Sequence, residues 1–227
     1  MQKPYIVAID GPAGAGKSTL AKRLAKALNI AYIDTGAMYR ACALYAIESG
    51  ISPKVDSEEL RKLLKTAEID FRTVSEEQKI FLNGADVSLK IREPHISTGA
   101  SDISAIPYVR DLLVTMQRNM ATGKSVLMDG RDIGTNVFPN ADVKIYLTAA
   151  VEERAKRRFE ELREKGDSST YETVLAEMIS RDENDKNRAY APLKQAEDAE
   201  LIDTTNLNLE ESFDALYQYT LKKLQTK

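Results

Sequence analysis

Lys17 and Ser18 close a glycine-rich run, Gly11-Pro12-Ala13-Gly14-Ala15-Gly16, and Thr19 follows them. The spacing fits G-x-x-x-x-G-K-[ST], in which the glycines let successive backbone N–H groups turn inward on an anion. A lysine at this position reaches the β- and γ-phosphates of a nucleoside triphosphate, and the serine hydroxyl can ligate Mg²⁺. Residues Gly11, Pro12, Ala13, Gly14, Ala15, Gly16, Lys17, Ser18 and Thr19 are therefore the candidate ATP-binding loop, with Ser18 as the candidate metal ligand. The β-prone run Tyr5–Asp10 leads into this loop and the helix-prone Leu20–Leu28 leaves it. A strand thus feeds the loop, and a helix N-terminus adds its positive dipole end.

Further charged segments follow. Asp34-Thr35-Gly36-Ala37-Met38-Tyr39-Arg40 carries a hydroxyl and, one helical turn later, an arginine. Tyr108-Val109-Arg110 lies in a helical stretch, and Asp129-Gly130-Arg131-Asp132-Ile133-Gly134 follows an apolar run. Arg181, Asp185 and Arg188 are spaced four and three, so they share one helix face. Arg154 and Arg158, four apart, stack like charges that acids or a bound polyphosphate must offset. Glu153 with Arg157 and Glu161 with Lys165 are favourable pairs, and Lys165–Thr170 reads as the turn of a movable lid.

The elements that must position these residues alternate. Strands are expected at Tyr5–Asp10, Ala31–Asp34, Ser125–Asp129, Val143–Leu147 and Glu200–Ile202. Helices are expected at Lys17–Leu28, Ala37–Glu48, Ser57–Lys65, Pro107–Ala121, Val151–Lys165, Tyr171–Asn187 and Leu209–Leu224. This rhythm predicts an α/β fold with a central parallel sheet and helices on both faces, its ligands beyond the carboxyl ends of the strands. Asp10, Asp34 and Asp129 all fall at such ends, where each can either orient Mg²⁺-bound water or cap the sheet end. One region departs from the rhythm. Ile69–Thr73, Lys79–Leu82 and Asp86–Leu89 are short and alternating, with Asn83-Gly84 as a hairpin signal. Residues 66 to about 104 are read as a small antiparallel β insert plus a helix.

The chain has 227 residues and a formal net charge of −3, which gives no bulk attraction to nucleic acid or to an anionic membrane. No stretch approaches the roughly 20 apolar residues of a membrane span, and the run after Met1-Gln2-Lys3-Pro4 is too short for a signal peptide. Cys42 is the single cysteine, which excludes an intrachain disulfide and points to a buried thiol in a reducing cytoplasm. His95, the single histidine, is expected in a loop at the surface. The absence of a heptad or an apolar patch points to a monomer. No N-K-x-D motif is present, which argues against a guanine-specific switch.

Taken together, the phosphate loop, Asp34–Arg40, Gly130-Arg131-Asp132, Arg181–Arg188 and the 66–104 insert resemble the bacterial cytidylate kinases of the nucleoside monophosphate kinase superfamily. The resemblance covers essentially the whole chain. It implies a P-loop NTPase three-layer fold in one chain: a core of residues 1–65, 105–150 and 188–227, a CMP-binding insert at about 66–104, and a helical lid at about 151–187. It also implies transfer of the ATP γ-phosphate to CMP or dCMP with Mg²⁺. By similarity Thr35, Asp185 and Arg188 hold the ribose, and Ser101, Arg110 and Asp132 read the base. Arg40, Arg131 and Arg181 grip the acceptor phosphate and the transferring group. Lys17, Arg131, Arg181 and a lid arginine, Arg154 or more specifically Arg158, carry catalysis. The competing expectations are a kinase for another small acceptor, such as a shikimate-like one, and a nucleotide-binding regulator that transfers nothing.

Overall fold

The structure, a computed structural model, describes residues 3–75, 77–164 and 166–225. Its contacts divide the chain into two compact units, residues 1–33 with 121–227, and residues 34–120.

The first unit is built on a five-stranded sheet. Its strands are β1 (Ile6–Asp10), β2 (Ala31–Asp34), β6 (Val126–Gly130), β7 (Val143–Thr148) and β8 (Glu200–Asp203), in the order β2-β6-β1-β7-β8. β3 to β5 belong to the second unit. β1 pairs in parallel with both β6 and β7, and β8 pairs in parallel with β7. Val7, Ala8 and Ile9 of β1 and Val126, Leu127 and Met128 of β6 are all buried, so alternate side chains on both faces leave water. Such continuous apolar runs are what a parallel sheet covered on both faces requires. On one face Val7, Ile9, Leu127 and Ile145 pack with Leu20, Leu24 and Leu216, which come from α1 (Lys17–Ala27) and α8 (Leu209–Gln225). The register sets Ile9 opposite Asp129 and Asp10 opposite Gly130, so two carboxylates reach the same sheet end.

Two helices, α6 (Val151–Glu164) and α7 (Tyr171–Asn187), also belong to this unit. Thr170 caps α7 through a hydrogen bond from the Thr173 N–H to its hydroxyl. Lys165, the expected partner of Glu161 and the expected last residue of the first of these helices, lies outside the described residues.

The second unit holds α2 (Thr35–Glu48), α3 (Glu58–Lys65), α4 (Pro94–Ile103) and α5 (Pro107–Met120). It also holds an antiparallel sheet, β3 (Ile69–Val74), β4 (Glu77–Leu82) and β5 (Ala85–Asp86), in that order. α2 is rich in small residues, and α4 approaches it closely: a Cβ on Gly99 would stand 3.0 Å from Ile47 Cδ1 and 3.4 Å from Ala43 Cβ. Asn83 and Gly84 both have positive φ (49° and 82°), the conformation of the tight hairpin turn expected there.

Three expectations are corrected in detail. The strand expected at 86–89 ends at Asp86, because the Asp86 carboxylate takes the Ser88 N–H and the Ser88 hydroxyl takes the Ile80 N–H. Side chains thus replace the ladder partners that a longer strand would need. His95 lies in the first turn of α4 and not in a loop, because Pro94, with its fixed φ, occupies the first helical position. Ile133–Val137, where no helix or strand is expected, forms a single π-helical turn.

Candidate active site

The phosphate loop connects β1 to α1 within the first unit. A Cβ on Gly11 would lie 1.9 Å from the carbonyl oxygen of Leu147, so β7 leaves no room for a side chain there. Gly16 takes the left-handed conformation (φ 79°) as the N-cap of α1, which exposes the first N–H groups of the helix to an anion. Lys17 is buried and its Nζ donates to the Pro12 carbonyl at 2.6 Å. Burial, followed by the nearby Arg131 guanidinium, drives the Lys17 ammonium well below its ordinary range, and Asp129, Asp10 and Asp185 act in the opposite direction.

The sheet end separates the three aspartates. Asp129 accepts from the Ser18 hydroxyl (2.8 Å) through one oxygen and from the Tyr32 hydroxyl (2.8 Å) through the other. Asp10 accepts from the N–H groups of Ile133 and Gly134, both at 2.7 Å, and so fixes the π-helical turn. Asp34 caps α2 by accepting from the Ala37 N–H and pairs with Arg40 at 3.0 Å. Ser18 and Asp129 are thus the oxygen pair beside the phosphate loop, whereas Asp10 and Asp34 are engaged with backbone.

Arg131 and Asp132 leave β6 and meet the end of α7. Arg131 Nε donates to Asp185 Oδ2 at 2.7 Å, and Arg188 stands 3.7 Å from Asp185 and 3.6 Å from Asp132. Burial acts to raise the Asp185 carboxyl, but Arg131, Arg188 and Arg181 outweigh it and hold it below the ordinary carboxylate range. Asn136 donates to the other oxygen of Asp132 (3.0 Å). Lys17, Ser18, Arg131, Asp132, Arg181, Asp185 and Arg188 therefore all belong to this unit. Of Arg154 and Arg158, Arg158 is exposed and pairs with Glu161 at 3.1 Å. Arg154 is buried, with an ion pair to Asp182 (2.8 Å); the two residues lie on different helices, so spacing along the chain does not identify the acid. The unmatched Arg154/Arg158 stack was the one hint that an acid was needed.

The second unit carries Thr35, Arg40, Ser101 and Arg110. Thr35 is buried at the start of α2, and Gly36 leaves space for the Asp34–Arg40 pair, since a Cβ there would stand 3.2–3.3 Å from both side chains. Arg110 on α5 is buried, donates to the Ser104 carbonyl (3.2 Å) and lies over the Tyr39 ring. Ser101 is half-buried on α4. Arg40 Nε is buried with no hydrogen-bond partner among the described residues, a donor that an anion could use.

A family model described as cytidylate kinase matches residues 7–222. A protein named cytidylate kinase from Caldicellulosiruptor bescii is 49% identical over 225 residues, which is 99% of each chain. One of the same name from Caldicellulosiruptor saccharolyticus is 52% identical over 92% of each chain. That from Bacillus subtilis is 46% identical over 98% of this chain and 99% of its own. With a family model matching residues 7–222 and relatives 46–52% identical over at least 92% of each chain, this chain belongs to the cytidylate kinase family.

Proposed function

We propose that this protein transfers the γ-phosphoryl group of ATP to CMP or dCMP, giving ADP and CDP or dCDP. The observation that carries this reading is the charge arrangement in the first unit: a buried P-loop lysine with Arg131, Arg181 and Arg188 around one carboxylate. Transfer between two phosphates asks little covalent chemistry of a protein and much positioning and charge neutralisation. An acceptor phosphate oxygen attacks the γ-phosphorus in line, and the bond to the β-bridging oxygen breaks as ADP leaves. Lys17 neutralises the bridging and γ-oxygens. Arg131, Arg181 and the lid arginine Arg158 neutralise the transferring group.

The Ser18 hydroxyl and the Asp129 carboxylate, 2.8 Å apart, are hard oxygen donors that fit Mg²⁺; Ser18 would ligate the ion and Asp129 would support its bound water. When bound, the ion neutralises phosphate charge. In the second unit Ser101 and Arg110 read the base, Thr35 holds the ribose and Arg40 grips the acceptor phosphate. In the first, Asp185 and Arg188 hold the ribose and Asp132 accepts from the cytosine amino group. Residues 151–187 serve as the lid and 66–104 as the insert. No helix among the described residues is long and apolar enough to cross a membrane. Cys42 is buried with its thiol pushed up to about 12 by desolvation; a reducing cytoplasm is the proposed setting.

The test is ADP release measured with CMP, dCMP, UMP, AMP and shikimate, on the wild type and on Asp132→Ala. CMP and dCMP are expected to turn over strongly, UMP weakly and shikimate not at all. Uracil presents an oxygen where cytosine presents an amino group, and unpaired buried polar groups can discriminate by orders of magnitude. Asp132→Ala should erode the preference for CMP over UMP. Equal loss on both nucleotides would remove Asp132 from base reading, and no turnover with any acceptor would favour a non-catalytic regulator.

A further inference from the structure

Arg154 of α6 has partners on three segments of the first unit. Its Nε donates to the Ala149 carbonyl (2.8 Å), one terminal nitrogen donates to the Ala13 carbonyl (2.9 Å), and the other stands 2.8 Å from Asp182 Oδ2 on α7. The two side chains of this ion pair are 5% and 9% exposed. The second oxygen of Asp182 is buried with no hydrogen-bond partner among the described residues; Arg154 is the ion-pair partner of this carboxylate, and Arg131 adds a longer-range attraction. The next residue of the phosphate loop is also seated on these helices. A Cβ on Gly14 would lie 3.1 Å from Met178 Cε and 3.4 Å from Arg154 Cβ.

The Ala13 carbonyl and the Gly14 N–H belong to one planar trans peptide, in which they point in opposite directions. Fixing that carbonyl on Arg154 therefore fixes the Gly14 N–H away from α6. We propose that Arg154 and Asp182 are a positioning pair for the phosphate loop. Arg154 sets the direction of a loop N–H that faces the ATP phosphates, and Asp182 ties this setting to α7, the helix that carries Arg181 and Asp185. Arg154 then acts through the loop and touches no reacting atom. Its planar fork serves all three partners at once, which a lysine ammonium cannot reproduce. The inference rests on the reading of Gly11–Thr19 as the ATP site.

Steady-state ADP release with CMP and thermal melting, on the wild type, Arg154→Lys, Asp182→Asn and the double variant Arg154→Met with Asp182→Leu, test the pair. Each single variant should raise the KM for ATP roughly tenfold to a hundredfold, the scale set by a misplaced binding group. The KM for CMP should change by less than about twofold. The double variant exchanges a buried ion pair for apolar groups, which commonly preserves stability. It should keep the melting temperature of the wild type yet show the same ATP defect, no larger than the singles. A folded double variant with unchanged KM for ATP would overturn the proposal. So would wild-type kinetics in Asp182→Asn beside a damaged Arg154→Lys, which is the pattern of an arginine that contacts the phosphoryl group directly. If the wild type forms no ADP with any acceptor, the catalytic reading fails separately. Calorimetric titration with ATP then decides the pair by the same comparison of affinities.

Discussion

Lys17 sits in a setting that suits the polyphosphate proposed to bind there. Its burial and the nearby Arg131 hold the ammonium well below the ordinary lysine range, although it donates to the Pro12 carbonyl. Anionic phosphates entering the loop would favour the charged form, which directs binding energy at the group proposed to neutralise the γ-oxygens. Ser18 and Asp129 are the second half of this setting. Asp129→Asn keeps the volume but replaces one carboxylate oxygen by an amide, leaving either Ser18 or Tyr32 without its acceptor. The expected result is a half-saturating Mg²⁺ concentration raised roughly tenfold to a hundredfold, the usual cost of losing an outer partner of a metal ligand. Turnover measured across a Mg²⁺ series checks it. An unchanged Mg²⁺ requirement with a lowered melting temperature would confine Asp129 to capping. The motif alone singles out Lys17 and Ser18 as candidates, since loop spacing is local. Which of Asp10, Asp34 and Asp129 stands beside Ser18 was not legible, because the answer depends on the pairing of β1 with β6.

Elements, rather than single side chains, decide what the glycines of the loop are for. Gly11 and Gly16 look alike in the motif but differ in their surroundings. A Cβ on Gly11 would collide with the Leu147 carbonyl of β7 at 1.9 Å, whereas one on Gly16 would find Leu20 Cδ1 as its nearest neighbour at 3.9 Å. Gly11→Ala must displace either the loop or β7, at about 1–3 kcal/mol or more of stability. Gly16→Ala meets only the left-handed backbone penalty of about 1–2 kcal/mol. Thermal melting with ATP affinity should therefore show the larger loss of both for Gly11→Ala. Equal effects would mean that β7 yields freely. Helix and strand positions were largely legible at this scale. Ala31–Asp34 and Tyr171–Asn187 carry the expected boundaries, and the Asn83-Gly84 turn forms where its residue types demand. The π-helical turn at Ile133–Val137 was not legible. Asp10, more than 120 residues earlier, supplies the carboxylate that holds its first two N–H groups, and no local pattern records that partner.

At the scale of the whole molecule, an acidic chain of net charge −3 buries cations and carboxylates of opposite titration behaviour in one of its two units. The switch of pattern at the insert was readable because antiparallel hairpins alternate differently from parallel strands. The grouping of residues 34–120 into one unit was not, since it arises from packing such as that of Gly99 on Ala43 and Ile47. The buried charges give the folded state a pH dependence with a definite sign. Burial, helped by Asp132 and opposed by the Gly134 and Ile133 N–H groups and by Lys17, raises the Asp10 carboxyl to about 6. A folded pKa above the unfolded one means that the native state binds the proton more tightly. This contribution is complete below the unfolded value near 4 and is lost as pH rises through 6, a change of about 3 kcal/mol. Asp185, held low by its arginines, works the other way: its contribution is present at neutral pH and is lost only as pH falls below the ordinary carboxylate range. Denaturant unfolding of the nucleotide-free wild type and of Asp10→Asn, compared between about pH 4 and pH 7, isolates the first term. The wild type should lose up to about 3 kcal/mol relative to the variant across this range, while Asp185 leaves the difference untouched because it titrates in both proteins alike. Parallel curves would mean that the two N–H groups offset the burial of Asp10, and the carboxylate would then cap the π-helical turn without cost.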